Sequence, residues 1–191
     1  EMTSSLVGSE MCIRDRDLIY PEDGEGKTYP CIVWICGGAW QRMDKAAHLA
    51  YLGTLAQEGF VVASVEYRTS NEGTHPMQLC DIKAAIRYLR AYAKRYRINS
   101  EKFGVMGESA GGYLTCMAAL DQDKKLDTGE YLEYSSQVQA ACPWYPPTDA
   151  SHFPYDDVEK AAMSSESLLM GFNVMTHPQE AVSYTHLTLP T

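Results

Sequence analysis

Lys102-Phe103-Gly104-Val105-Met106-Gly107-Glu108-Ser109-Ala110-Gly111-Gly112 runs from a short apolar strand straight into a glycine-flanked serine and the start of a helix. Gly107 to Gly111 is G-x-S-x-G in the setting where that pattern has mechanical meaning. A serine between a strand and a helix sits on a tight, strained turn that lifts its hydroxyl above the sheet. Glycines two before and two after leave room for the neighbouring strand and helix. The helix N-terminus adds unpaired N–H groups and a positive dipole end, suited to a developing oxyanion. The bland reading is a Gly-rich turn that only lets a helix pack closely, and the strand–turn–helix context favours the nucleophile.

The flanking segments repeat one grammar. Asp17-Leu18-Ile19-Tyr20 is a short strand stopped by Pro21. Cys31 to Cys36 and Phe60 to Val65 are apolar throughout, as strands buried on both faces of a parallel sheet are. Ala46 to Gln57 reads as a helix stopped by Gly59. Pro76 opens a long helix with Leu79, Ile82, Ile86, Leu89 and Ala93 on one stripe. The helix after Ser109 runs to about Leu120, residues 121–137 read as a polar loop, and Val138 to Cys142 is a further strand ended by Pro143. Alternating strands and helices predict an α/β fold: a mostly parallel, doubly wound sheet with helices on both faces.

A second glycine-rich element, Cys36-Gly37-Gly38-Ala39-Trp40, ends another buried strand. Small residues let backbone N–H groups face a cleft, so the Gly38 or Ala39 N–H and that of Ala110 are the candidate oxyanion donors. Trp40, just past this loop, is the candidate substrate contact; Trp34, Trp144 and Tyr145 read as core or cleft wall.

At these places the chain resembles the esterase and lipase branch of the α/β-hydrolase superfamily, with H-G-G-x-W and G-x-S-A-G-G motifs, a group that includes xylan acetyl and feruloyl esterase-like proteins. Val65-Glu66-Tyr67-Arg68 is similar to its D-Y-R, Asp81 to Ala85 to its D-x-x-A-A helix, and Pro147-Thr148-Asp149 to its P-T-D. Cys36 stands where that branch carries His. The resemblance implies an α/β-hydrolase fold with Ser109 as nucleophile and Gly37, Gly38, Ala39 and Ala110 around the oxyanion hole. It implies a carboxylic ester hydrolase working through an acyl-enzyme, on a small-molecule or carbohydrate ester such as an acetylated or feruloylated saccharide. No cofactor is implied. A peptidase or arylformamidase of the same superfamily, or a non-catalytic member that only binds, are the alternatives. The family's acid and His follow later strands, expected beyond Ala181, so the chain is expected to be inactive by itself. Asp149 with His152 would be a local pair, better read as a turn residue and a loop residue; His48, His75 and His177 read as surface or loop groups.

The remaining composition excludes more than it assigns. With 16 Lys plus Arg against 25 Asp plus Glu, the net charge is -9, which argues against nucleic acid and anionic membranes. Lys83, Arg87, Arg90, Lys94, Arg95 and Arg97 read as the solvated face of their helix. No apolar run approaches the ~20 residues of a membrane span. No C-x-x-C or metal-ligand spacing occurs, and the cysteines look buried and free. Compartment stays open, cytoplasmic or secreted. The ends are unusual: Ser9 to Asp15 and Val182 to Thr188 can be encoded by opposite strands of one DNA word, as read-through into a sequencing adapter produces. The expected organisation is one partial hydrolase domain over 16–181, incomplete at its C-terminus, with adapter-derived tails at 1–15 and 182–191.

Overall fold

The computed structural model describes residues 16–22, 26–121, 124–150 and 155–185. Five strands form one sheet in the order β1-β3-β2-β4-β5. β1 (Arg16–Ile19) pairs antiparallel with β3 (Val61–Val65), whereas β2 (Tyr29–Ile35), β4 (Ile98–Glu108) and β5 (Ala140–Trp144) complete a parallel array. Helices α1 (Leu49–Gln57), α2 (Met77–Ala91) and α3 (Ala110–Leu120) connect the strands.

The continuous apolar runs have their cause in this layering. Along β2, Trp34 joins Val62, Leu52 of α1 and Met106 on one face, with Ile32 packed against them. Cys31, Val33 and Ile35 alternate onto the other face, among Leu79, Ile82, Ile86 and Leu89 of α2 and Tyr113 and Leu114 of α3. Both faces of each central strand are covered, so no polar alternation survives.

Several expectations are corrected. The strand read over Val138 to Cys142 and stopped by Pro143 instead runs Ala140–Trp144, with Pro143 opposite Gly107. Among the described residues β5 is an edge strand, and there Pro costs no ladder donor. β4 begins earlier than its apolar stretch, at Ile98, and the first helix begins at Leu49 rather than Ala46. Three helices follow β5 in a region left unassigned: α4 (Val158–Ala162), α5 (Ser165–Met170) and α6 (Pro178–Thr185). Their signals were short: Asp157 caps α4 by accepting from the Glu159 and Lys160 N–H groups, and Ser164 caps α5 by accepting from that of Ser167. α6 crosses the boundary drawn at 181.

The basic cluster of α2 also differs. Lys83 and Arg87 are buried, not solvated. The Lys83 ammonium lies 2.6 Å from Asp121, and Arg87 Nη1 lies 2.9 Å from Asp127 while the same guanidinium donates to the carbonyls of Thr128 and Glu130. Arg90 reaches the carbonyls of Ser135 and Gln137. Asp121 and the 124–137 segment are therefore held to α2 by three cations, because a buried guanidinium needs its donors satisfied. The described cysteines are free, but only Cys31 and Cys36 are buried; Cys80 and Cys116 are half-buried and Cys142 is exposed.

Candidate active site

Ser109 has φ 52° and ψ −119° at the junction of β4 and α3. A side chain in this left-handed region carries strain of about 1–3 kcal/mol, which persists only where the surroundings hold it. The holding is visible. The Ser109 N–H donates to the Trp144 carbonyl at 3.0 Å, and the Ser109 carbonyl accepts from the Tyr113 N–H at 3.0 Å. The glycines explain how strand and helix approach so closely. A Cβ on Gly107 would lie 2.5 Å from the Ile35 carbonyl oxygen, and one on Gly112 would lie 2.6 Å from that of Trp144. One on Gly111 would lie 2.7 Å from the Ile35 carbonyl carbon.

The loop after β2 carries three consecutive positive φ values, at Gly38, Ala39 and Trp40. It is closed by the Gln41 and Arg42 N–H groups donating to the Gly38 carbonyl at 3.1 and 3.0 Å. At Cys36, the backbone carbonyl accepts from the Tyr67 hydroxyl at 2.9 Å, and burial pushes the thiol pKa up, which keeps it neutral. A buried tyrosine thus anchors the start of the loop.

Ser109, Ala110, Ala39 and Trp40 come together as one wall of a pocket of about 310 Å3, completed by Tyr145, Pro146, Pro147, Ser165 and Glu166. Gly37 and Gly38 are not in that wall. Gly37 is buried against Glu108, whose carbonyl oxygen would lie 2.8 Å from a Cβ there, and Gly38 is exposed. Trp40 is 3% exposed, set edge-on against Tyr113. Glu108, beside Ser109 in sequence, accepts from the Tyr145 hydroxyl and lies 3.5 Å from His48 Nε2.

The histidines fall elsewhere. His48 is exposed at the start of α1. His75, expected at the surface, is half-buried: its backbone N–H donates to the Leu169 carbonyl at 2.8 Å, and its ring Nδ1 is 3.4 Å from the Tyr113 hydroxyl. Burial lowers its pKa to about 4, because the imidazolium loses hydration. His177 is exposed beside Thr176 and Phe172. Asp149 is half-buried, and His152 lies outside the described residues.

Two residues of the site had no sequence signal. Glu166, on the first turn of α5, lines the pocket and accepts from the Tyr155 hydroxyl at 2.5 Å. Both belong to the region after β5 in which no helix was expected.

Comparison with known proteins places this geometry. The BD-FAE family model matches residues 17–188. The chain is 34% identical over 121 residues to the probable carboxylic ester hydrolase LipM of Mycobacterium tuberculosis, covering 62% of this chain and 28% of LipM. The first curated relatives are covered over only 25–30% of their length. Among solved structures, a bifunctional GH43-CE protein of Bacteroides eggerthii superposes with TM-score 0.77 at 31% identity, over 84% of this chain and 22% of that one. A truncated carbohydrate esterase from gut microbiota superposes with TM-score 0.81 at 27% identity, over 93% and 67%. The fold is that of an α/β-hydrolase.

Proposed function

This chain belongs to the BD-FAE family, and on that premise we propose that it is the nucleophile-bearing part of a carboxylic ester hydrolase that forms an acyl-enzyme on Ser109. The observation that carries the reading is the strained backbone of Ser109, held between β4 and α3 at the edge of a pocket it shares with Ala39 and Ala110. A base removes the Oγ proton, and Oγ adds to the ester carbonyl. The resulting oxyanion accepts from the Ala39 and Ala110 N–H groups; the Ala110 amide, first in α3, has no acceptor within its own helix. Collapse expels the alcohol, which takes the proton back, and water then releases the acid by the same steps.

The substrate we assign is an acylated carbohydrate, acetylated or feruloylated. Its support is the carbohydrate esterase relatives and the flat pocket walls offered by Trp40, Tyr145, Pro146 and Pro147. Gly37 and Gly38 serve this site by shaping the loop. Over 16–181 the chain supplies nucleophile and donors, while His48, His75 and His177 stand outside the pocket wall. With none of the described histidines in the pocket wall, we expect little turnover of p-nitrophenyl acetate by this 191-residue chain, a residual ~10³–10⁴ over water from donors and binding alone. Prolonged exposure to a fluorophosphonate tests the reading: peptide mass spectrometry should find an adduct on Ser109, lost in Ser109→Ala. Adducts elsewhere, or none, overturn it.

A further inference from the structure

Glu166 is 6% exposed, and it is the one charged side chain among the described residues of the pocket wall. The rest of that wall is alanine, serine, proline and aromatic surface. A carboxylate removed from water beside such a surface is costly unless its oxygens find donors. The Tyr155 hydroxyl supplies one, at 2.5 Å to Oε2. An ionised carboxylate accepts at about four positions, so one phenol leaves most of its capacity unused. The pKa of Tyr155 is raised by burial and by the carboxylate, so it stays protonated and keeps donating.

A fixed anion in the same small pocket as Ser109 has a chemical consequence. It rewards a ligand that brings hydroxyl donors alongside its ester and penalises one that brings only hydrocarbon or ether oxygen, because the latter desolvates the carboxylate without replacing its hydrogen bonds. We infer that Glu166 is a specificity-determining residue that accepts hydrogen bonds from free hydroxyls neighbouring the ester, selecting partially acylated over fully capped polyol esters. The inference rests on the ester-hydrolase reading of Ser109 and adds to it the group that reads the alcohol around the bond.

The test is binding of two probes to the whole chain by calorimetry. One is a monoacetylated methyl xyloside with its other hydroxyls free, and the second is the same ester with those hydroxyls methylated. The free form should bind at least about tenfold more tightly, as hydrogen bonds to a charged acceptor allow. Glu166→Gln should shrink that ratio to about threefold or less. Tyr155→Phe, which keeps the carboxylate, should leave the ratio intact or larger, and it carries the test if Glu166→Gln does not fold. Equal binding by the parent chain, no binding of either probe, a ratio unchanged in Glu166→Gln, or a ratio lost in Tyr155→Phe each overturns the inference. The Ser109 adduct is scored separately. An adduct without hydroxyl preference removes Glu166's role and keeps the hydrolase reading, whereas preference without an adduct removes that reading and leaves Glu166 as the hydroxyl acceptor.

Discussion

On the proposed reading of Ser109, a single backbone angle sets reactivity against stability. Because φ 52° is strained for any residue with a Cβ, Ser109→Gly should raise the chain's stability by roughly 1 kcal/mol, about 2–4 °C in Tm for a domain of this size, while abolishing the phosphonate adduct. Thermal melts of the two proteins check this; an unchanged or lowered Tm would mean that the turn is unstrained. Gly111→Ala should act oppositely, since its new Cβ meets the Ile35 carbonyl. A loss of about 1–3 kcal/mol in urea melts is expected, with strand and helix forced apart. His75 gives the chain a pH dependence. Its folded pKa, about 4, lies below the ordinary value, so the unfolded chain binds its proton first as pH falls. Stability is therefore full above pH ~6.5 and declines toward pH ~4 by up to about 1.4 kcal/mol per unit. His75→Gln should flatten that part of a stability–pH profile from urea melts.

At the scale of elements, α2 is held to the sheet by its apolar stripe and to Asp121 and the 124–137 segment by its cations. Arg87→Ala removes a fully buried guanidinium from between Asp127 and two carbonyls, and a loss of about 3 kcal/mol is expected. Limited proteolysis should then cut within 124–137 before any other described segment. The stripe of α2 was legible because Leu79, Ile82, Ile86 and Leu89 repeat at helical spacing. The inward charges were not, since periodicity shows only that Lys83 and Arg87 avoid the apolar side and says nothing of a loop folding over them. The elbow was legible because its glycines at 107, 111 and 112 fall at fixed spacing around Ser109 in one strand–turn–helix unit, although the contacts that demand them come from the neighbouring strands, at Ile35 and Trp144. Glu166 and Tyr155 escaped notice because their meaning arises only when α5 packs across the pocket from Ser109. Gly37 shows the same limit, since its place beneath Glu108 depends on contact between two strand ends.

For the whole molecule, the order β1-β3-β2-β4-β5 puts the Ser109 turn at the end of β4, between the glycine-rich loop after β2 and the last described strand. Four of the five β5 residues are exposed, and an apolar hollow of about 300 Å3 lined by Phe60, Phe103 and Met106 lies beside it. An exposed strand edge next to apolar surface recruits other chains. Ala141→Lys, on that strand, should raise the concentration at which the protein stays monodisperse in light scattering; no change would place self-association elsewhere. β5 also has a private connection to the chemistry, through the hydrogen bond from Ser109 to Trp144. The least protected ribbon of the sheet is thus the strut that keeps the serine under tension. Mild denaturant should consequently silence phosphonylation while circular dichroism still reports intact helices, so that the enzyme-like chemistry fades ahead of the architecture that houses it.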